Sequence, residues 1–361
     1  MVQGKRFSRK GVAQRMKSVS VKDIARELNI SLSTVHKALT GKPGVGEQRR
    51  KQVLETAQRL GYSVNAVAQS LSRKDITLGI FMPSNWQNYF ESMQEGIQKE
   101  IDSLAKYKVR GLFYHISSDF SDSDTQSALL WLKENRIDAL IYCPSMYNLN
   151  DTFVTALKKS SLPVFIAGGD VGEIESITAV VTHAVSAGKL AADFLHCVHG
   201  KKLNAVMFTG SLRVDSHREK TDAFRKRVEK FGGKVCDVYE TEDNTQKAYE
   251  CAKRMLVEHS DVNAVYVSTA TSEPVCRYIE QMGYSGKITL VCTDIFDELR
   301  NYMKNNTVQA TVYQNQKKVG SLCVRKAYEY LVEKNSYHTG EKSTVHTVYV
   351  RPALYLLTDV E

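Results

Sequence analysis

Between residues 20 and 61 the apolar positions recur at helical spacing, and from residue 76 onward they gather into short continuous runs. In VKDIARELN, Val21, Ile24, Ala25 and Leu28 fall at i, i+3, i+4 and i+7, one stripe on a helix that Ser20 can cap. Asn29-Ile30 breaks the pattern, Ser31 can cap a second helix through Leu39, and Thr40-Gly41-Lys42-Pro43-Gly44 is a turn cluster. A third helix, EQRRKQVLETAQRLG, turns Val53, Leu54, Ala57 and Leu60 inward and ends at Gly61, a residue suited to a helix stop. Three short helices around one small core are predicted over 19–63.

Beyond Ile76 the rhythm is that of strands buried on both faces. ITLGIFMP, KVRGLFYHI, DALIYCP, LPVFIAGGD and ITAVV come first, with amphipathic helical segments between most of them. A second series, NAVMFTG, KVCDVYE, NAVYVS, KITLVCTD and VQATVYQ, follows AVSAGKLAADFLHCV. Continuous apolar strands alternating with helices build parallel sheets covered on both sides. Two series predict two α/β subdomains over 76–361, with the chain crossing between them near 180, 312 and 340. Ligands in such folds sit beyond the carboxyl ends of the strands. Residues 64–75 read as a hinge and linker, where Asn65 can cap a helix of barely two turns that needs packing to form.

Charge separates the two parts. Residues 1–75 hold 16 Lys/Arg against 5 Asp/Glu, and the remainder 33 against 35. A cationic head on a near-neutral body predicts a polyanionic partner for the head alone. Residues 1–18 read as a basic, disordered tail, with no apolar segment behind it to make a secretory signal. No apolar run approaches the roughly 20 residues that span a bilayer, so a cytoplasmic protein without a membrane partner is expected. The seven cysteines are scattered, odd in number and never form CxxC, which predicts buried free thiols rather than disulfides or zinc. GxSxG, HExxH and GxxxxGK[ST] are all missing, so no enzyme, cofactor or metal is expected.

The stretch SLSTVHKAL is a short helix whose small polar residues face away from any apolar stripe. Helix, tight break and short polar helix is the logic of a helix-turn-helix, in which the start of the second helix enters the major groove of DNA. Leu32 and Ser33 project from that start, and Lys37 lies about one turn on, able to reach guanine O6 and N7. The Ser31 and Thr34 hydroxyls can bond phosphates beside the positive helix end.

The run VSVKDIARELNISLSTVHKALTGKPGVGEQRRKQVLETAQRLGYSVNAVAQSL resembles the DNA-binding headpiece of the LacI/GalR family of bacterial transcription regulators. The likeness continues through the body to residue 361. It implies an all-α helix-turn-helix headpiece followed by a periplasmic-binding-protein-like type I body of two parallel-sheet subdomains. It implies that Leu32, Ser33 and Lys37 face base edges of a double-stranded operator, and that Ala66 and Leu71 enter the minor groove, where an inserted leucine kinks the duplex. Ser20, Ser31, Thr34, His36 and Asn65 are the implied backbone contacts. The chain departs from the family at His36, where serine is usual, at Arg49, Gly46 and Val64, and at Lys37, a point charge where a rigid fork is common.

In the body, PSNWQNYF offers Trp86, Asn88, Tyr89 and Phe90 just past the first strand, aromatic faces beside an amide that suit a sugar ring. The resemblance implies ligand contacts from Asn88, Phe90, Arg218, Asp294, Gln314 and Thr269, the last where asparagine or aspartate is common, with His183 a further departure. Asp294 closes an apolar strand where a carboxylate can accept two charge-assisted hydrogen bonds. The expectation is a homodimeric repressor whose operator binding answers to a small molecule, a sugar or sugar derivative, held between the subdomains. The C-terminal YLLTDVE carries no leucine heptad, which favours a dimer over a tetramer. A sugar-binding transport component sharing the body fold is the alternative.

Overall fold

The apolar stripes of the first sixty residues close on one another as α1 (Val21–Leu28), α2 (Leu32–Leu39) and α3 (Glu47–Arg59). The computed structural model describes residues 19–39, 43–60, 74–84, 87–116, 121–144, 151–169, 174, 176–333 and 346–360. Ile24, Ala25, Val35, Ala38, Val53 and Ala57 form the centre of the small helical core. Ser20 holds the start of α1 by donating its N–H and hydroxyl to the Asp23 carboxylate at 2.9 and 2.6 Å. Asn29 stops α1 by taking the left-handed conformation, φ 50°, and Ser31 Oγ accepts the Thr34 N–H at 3.1 Å to start α2. Leu54 departs from expectation at 49% exposure. The inward face of α3 runs through Val53, Thr56, Ala57 and Leu60, so a threonine takes the expected leucine's place.

The chain divides into two compact units, one holding α1–α3 and the other both sheets. The first sheet contains β1 (Ile76–Pro83), β2 (Val109–Ile116), β3 (Ala139–Tyr142), β4 (Val164–Ala167), β5 (Thr178–Thr182) and β11 (His346–Val350). Its order is β11-β5-β4-β3-β1-β2 and every neighbouring pair is parallel. On one face lie α4 (Gln87–Leu104) and α12 (Gln316–Glu333), on the other α5 (Asp122–Glu134) and α6 (Asp151–Lys159).

The second sheet repeats the winding with β6 (Asn204–Thr209), β7 (Lys234–Glu240), β8 (Ala264–Val267), β9 (Thr289–Thr293), β10 (Ala310–Tyr313) and β12 (Ala353–Tyr355), in the order β12-β10-β9-β8-β6-β7. Helices α7 (Ala184–His199) and α8 (Asp215–Lys230) cover one face. The other carries α9 (Thr245–Glu258), α10 (Glu273–Gln281), α11 (Asp297–Lys304) and the short α13 (Leu357–Val360). Only β12 runs antiparallel to its neighbour, β10. Two residues separate it from β11, too few for the helical crossover that a parallel return requires.

The chain passes between sheets after β5, after β10 and after β11. The last passage falls at 351–352 rather than near 340, because β11 still pairs along β5 through Val350 and Thr182. These passages are bonded to one another. Thr182 Oγ1 donates to the Gln314 carbonyl at 3.0 Å, and His183 N–H to that of Val350 at 2.9 Å. His183 Nδ1 also accepts from Ser186 N–H at 3.2 Å, capping α7, and its ring meets Tyr349 edge-on at 4.9 Å.

Glycines let helices touch. A Cβ on Gly188 of α7 would lie 2.2 Å from the Lys220 carbonyl oxygen of α8, and one on Gly96 of α4 would lie 2.0 Å from that of Lys317 on α12. All seven cysteines are free; five are buried as expected, while Cys236 is half-buried and Cys197 exposed. Among the described residues no helix is long and apolar enough to cross a membrane.

Candidate functional site

Strand order reverses between β1 and β3 in one sheet and between β6 and β8 in the other, and at such switch points the loops after the strands diverge and leave a crevice. The second sheet brings a dense polar cluster to that end. Asp294, just past β9, is 5% exposed and holds φ 68°, a left-handed conformation rare for a residue with a side chain. Its N–H donates to Val312 O at 3.0 Å, which fixes the turn. Its carboxylate accepts Gln314 N–H at Oδ1 (3.0 Å) and Gln314 Nε2 at Oδ2 (2.7 Å), with the Gln316 side chain a further donor. Burial pushes this carboxyl above its usual range, while the Gln314 donors and Lys220 pull it back.

Lys220, on α8, is 4% exposed and donates from Nζ to the Ser268 carbonyl at 2.8 Å. Burial pushes its pKa down, and Asp294 and Asp243 oppose that shift. Asp243 lies in the turn after β7 with φ 51°, its carboxyl raised by burial and pulled back by Lys220 and by a hydrogen bond from Thr269. The His217 ring lies against Gly210, where a Cβ would be 2.1 Å from the ring and 2.9 Å from Asp243 Oδ2. Ser268, Thr209, Thr269 and Thr271 link these groups, with Ser268 Oγ to Thr209 Oγ1 at 3.1 Å and Thr269 Oγ1 to Thr271 Oγ1 at 2.8 Å. His217 Nδ1, Ser272 Oγ and Gln316 Oε1 are buried without a hydrogen-bond partner among the described residues. Each of these atoms keeps hydrogen-bonding capacity that the protein leaves unused.

From the first sheet, Tyr89 in the opening turn of α4 brings its hydroxyl over Gly168, within 3.0 Å of where a Cβ would stand. Burial raises its phenol, and the nearby Asp294 charge adds to the shift, so groups from both sheets meet at one place.

His217 carries a pH signature. Burial, reinforced by Lys220, lowers its pKa from the ordinary 6.5 to about 3. The folded chain resists a proton that the unfolded chain accepts near 6.5, so this group's contribution is complete above that pH and lost as pH falls toward 3. Between pH 6 and 4, unfolding free energies from urea titration are expected to fall more steeply for the natural chain than for His217→Gln, by up to about 1.4 kcal/mol per pH unit. Parallel slopes would show that the imidazole carries no such shift.

The structure sorts the expected residues. Asp294, Gln314, Thr269 and Tyr89 converge. Phe90 is 8% exposed and belongs to the core, its ring meeting Tyr89 edge-on at 5.0 Å, so it braces that tyrosine. Arg218 does not join the cluster: it is exposed, paired with Asp215 and bonded to the Leu212 carbonyl at 3.3 Å. The cation at the site is Lys220, two residues on and about 200° around the helix. Lys220, His217 and Asp243 were not foreseen from the sequence. Trp86 lies outside the described residues, and of Asn88 only the helical backbone is described.

In the helical unit, Leu32 (47% exposed), Ser33, His36 and Lys37 lie on the outer face of α2, while Val35 and Ala38 face the core. Lys37 Nζ lies 3.6 Å from where a Cβ on Gly44 would stand, and Ser31 and Thr34 share a 2.9 Å hydroxyl contact. Ser20 is occupied in capping α1. Asn65, Ala66 and Leu71 lie outside the described residues.

Comparison with known proteins agrees with this architecture. Residues 78–335 match the family described as periplasmic binding protein domain. The chain is 30% identical over 261 residues to catabolite control protein A of Priestia megaterium, covering 70% of this chain and 74% of that protein. Among solved structures it resembles a glucose-galactose binding protein from Geobacillus stearothermophilus (TM-score 0.64, 20% identity, 80% of this chain and 99% of that one). It also resembles the lac repressor dimer bound to operator and an anti-inducer (TM-score 0.61, 16% identity, 96% of this chain and all of that one).

Proposed function

The chain belongs to the LacI/GalR family of bacterial transcription regulators, and on that premise we propose that its three-helix headpiece grips operator DNA under the control of a sugar bound in the body. The observation that carries the first half is the outer face of α2. Leu32, Ser33, His36 and Lys37 are exposed on a helix whose opposite face is fully used, in the part of the chain that holds the positive balance. Leu32, Ser33 and Lys37 read base edges, and Ser20, Ser31, Thr34 and His36 line the phosphate side. Asn65, Ala66 and Leu71 complete the grip as a hinge in the minor groove, within a headpiece of 19–63 and a linker of 64–75. Two chains act together as a homodimer on a pseudo-palindromic site.

The second half rests on the cluster around Asp294. Carboxylate, amide and hydroxyl groups at a strand-end crevice hold a polyhydroxylated ring, and its occupancy sets the angle between the subdomains. Coupling to DNA is then the difference in the ligand's affinity for the two arrangements. A transport role shares the body but leaves the cationic headpiece without a task.

Electrophoretic shift with promoter fragments of the source genome tests the reading. The intact chain is expected to retard a specific fragment, with affinity falling steeply as salt rises. Lys37→Ala is expected to weaken binding by about 10-fold or more. Equal retardation by a chain starting at residue 74 would remove the headpiece from the account.

A further inference from the structure

Toward the end of the second sheet where its strands begin, away from Asp294, three side chains able to bind a metal come together. Glu258 is the last residue of α9, and His259 closes that helix with its N–H on the Met255 carbonyl at 2.9 Å. Asp237 comes from the edge strand β7, where the register against β6 passes over Cys236 and pairs Asp237 with Val206. One ligand atom from each of Asp237, Glu258 and His259 lies within 4.8 Å of the other two. No spacing in the chain announces this group, because a strand and the end of the following helix supply it.

The hydrogen bonds around it leave ligand atoms facing one another. Asp237 Oδ1 accepts the Val238 N–H at 2.7 Å, and Glu258 Oε2 accepts the Tyr239 hydroxyl at 2.8 Å. Each carboxylate is thereby anchored through one oxygen. The other oxygens make only long contacts, Asp237 Oδ2 with His259 Nε2 and Glu258 Oε1 with Arg254 Nε, both at 3.4 Å. Hydrogen bonds of that length are weak. The Tyr239 hydroxyl, and after it Arg254, hold the Glu258 carboxyl below its usual range, in the ionised form a metal takes. Metal ligands are commonly oriented by outer hydrogen bonds of this kind.

The donor set selects the ion. Two carboxylates offset a double positive charge, and the imidazole suits zinc better than magnesium or calcium. The Cys236 and Cys251 thiols stand within electrostatic reach of Asp237, which adds to the upward push that burial gives both. Bonds of about 2.0–2.2 Å to a tetrahedral ion place ligand atoms roughly 3.3–3.5 Å apart. Closing the group therefore asks for about 1–1.5 Å of movement, within reach of the Asp237 and Glu258 side chains, which are both exposed.

We infer that Asp237, Glu258 and His259 bind one divalent ion of the zinc class, at a site distinct from the effector crevice, and that the ion ties the β7 edge to the end of α9. Calorimetric titration of the full chain with zinc chloride, after chelator treatment and under a reductant, tests it. One ion per chain is expected, with Kd on the order of 10 µM. Zinc at about 100-fold above that Kd should raise Tm by at least about 2 °C, and magnesium chloride at the same concentration should leave it unchanged. His259→Gln and Asp237→Asn should each weaken zinc at least about 10-fold, and Tyr239→Phe, which removes only the outer bond, by a similar factor. The two ligand variants alter different elements, so one that fails to fold leaves the other to decide. Zinc affinity unchanged in a folded ligand variant, or absent from the natural chain, overturns the site. An equal rise in Tm with magnesium overturns the zinc-class assignment.

Discussion

Asp294→Ala is expected to abolish the response to the small molecule while leaving operator binding intact. A buried carboxylate that accepts two ligand hydroxyls contributes about 1.5–3 kcal/mol per charge-assisted bond. Losing both amounts to roughly 100-fold or more in Kd. The substitution also frees Gln314, whose N–H and amide both rest on this carboxylate, so Asp294→Asn, which keeps the shape and removes the charge, is the needed companion. Both variants should shift a promoter fragment like the natural chain without ligand, because the headpiece is a separate compact unit. Calorimetry showing unchanged ligand affinity in either variant would remove Asp294 from the site.

The second large effect is expected at Gly188. It lies where α7 meets α8, and a methyl group there would stand 2.2 Å from the Lys220 carbonyl and 3.0 Å from the Phe224 amide. Both neighbours are backbone, so neither can swing aside; the helices must separate. Overpacking of this kind costs about 1–3 kcal/mol, somewhat offset by the gain of about 1 kcal/mol in helix propensity. Gly188→Val lacks most of that offset and should cost about 3 kcal/mol, lowering Tm by about 6–12 °C. Because α8 carries Lys220, the same variant should also weaken ligand binding. A Tm within about 1 °C of the natural chain would show that the helices yield freely.

Much of this molecule was legible in its sequence because its elements are patterned by burial. Continuous apolar strands announced two sheets covered on both faces, and the i, i+3, i+4, i+7 stripes announced the three headpiece helices. What resisted was rotation and chain path. Choosing Arg218 over Lys220 is a choice between two sides of one helix, and the helix has too many charged residues for its pattern to decide. Periodicity locates a stripe of apolar residues well and a single buried cation badly. Asp243 was missed because it stands in a turn, where side-chain direction follows from a positive φ that sequence does not print. Tyr89 and Phe90 are both expected at the ligand, but the first turn of α4 spends Phe90 on the core and leaves the Tyr89 hydroxyl beside Gly168, a rotation that a run of aromatics does not settle. The third sheet passage lies about ten residues beyond the expected 340, since the apolar pattern assigns no strand to 346–350, where β11 pairs along β5.

The pair of hydrogen bonds from Gln314 to Asp294 has a consequence for how a signal would leave the crevice. Gln314 stands at the foot of the second passage between sheets, and its carbonyl is held in turn by Thr182 at the first. A guest that claims the lone pairs of Asp294 competes with the amide of a residue that is itself part of the pivot. On the proposed reading, recognition and movement draw on the same few atoms, and a change at this carboxylate that retunes affinity for the guest should also retune how stiffly the two lobes are joined.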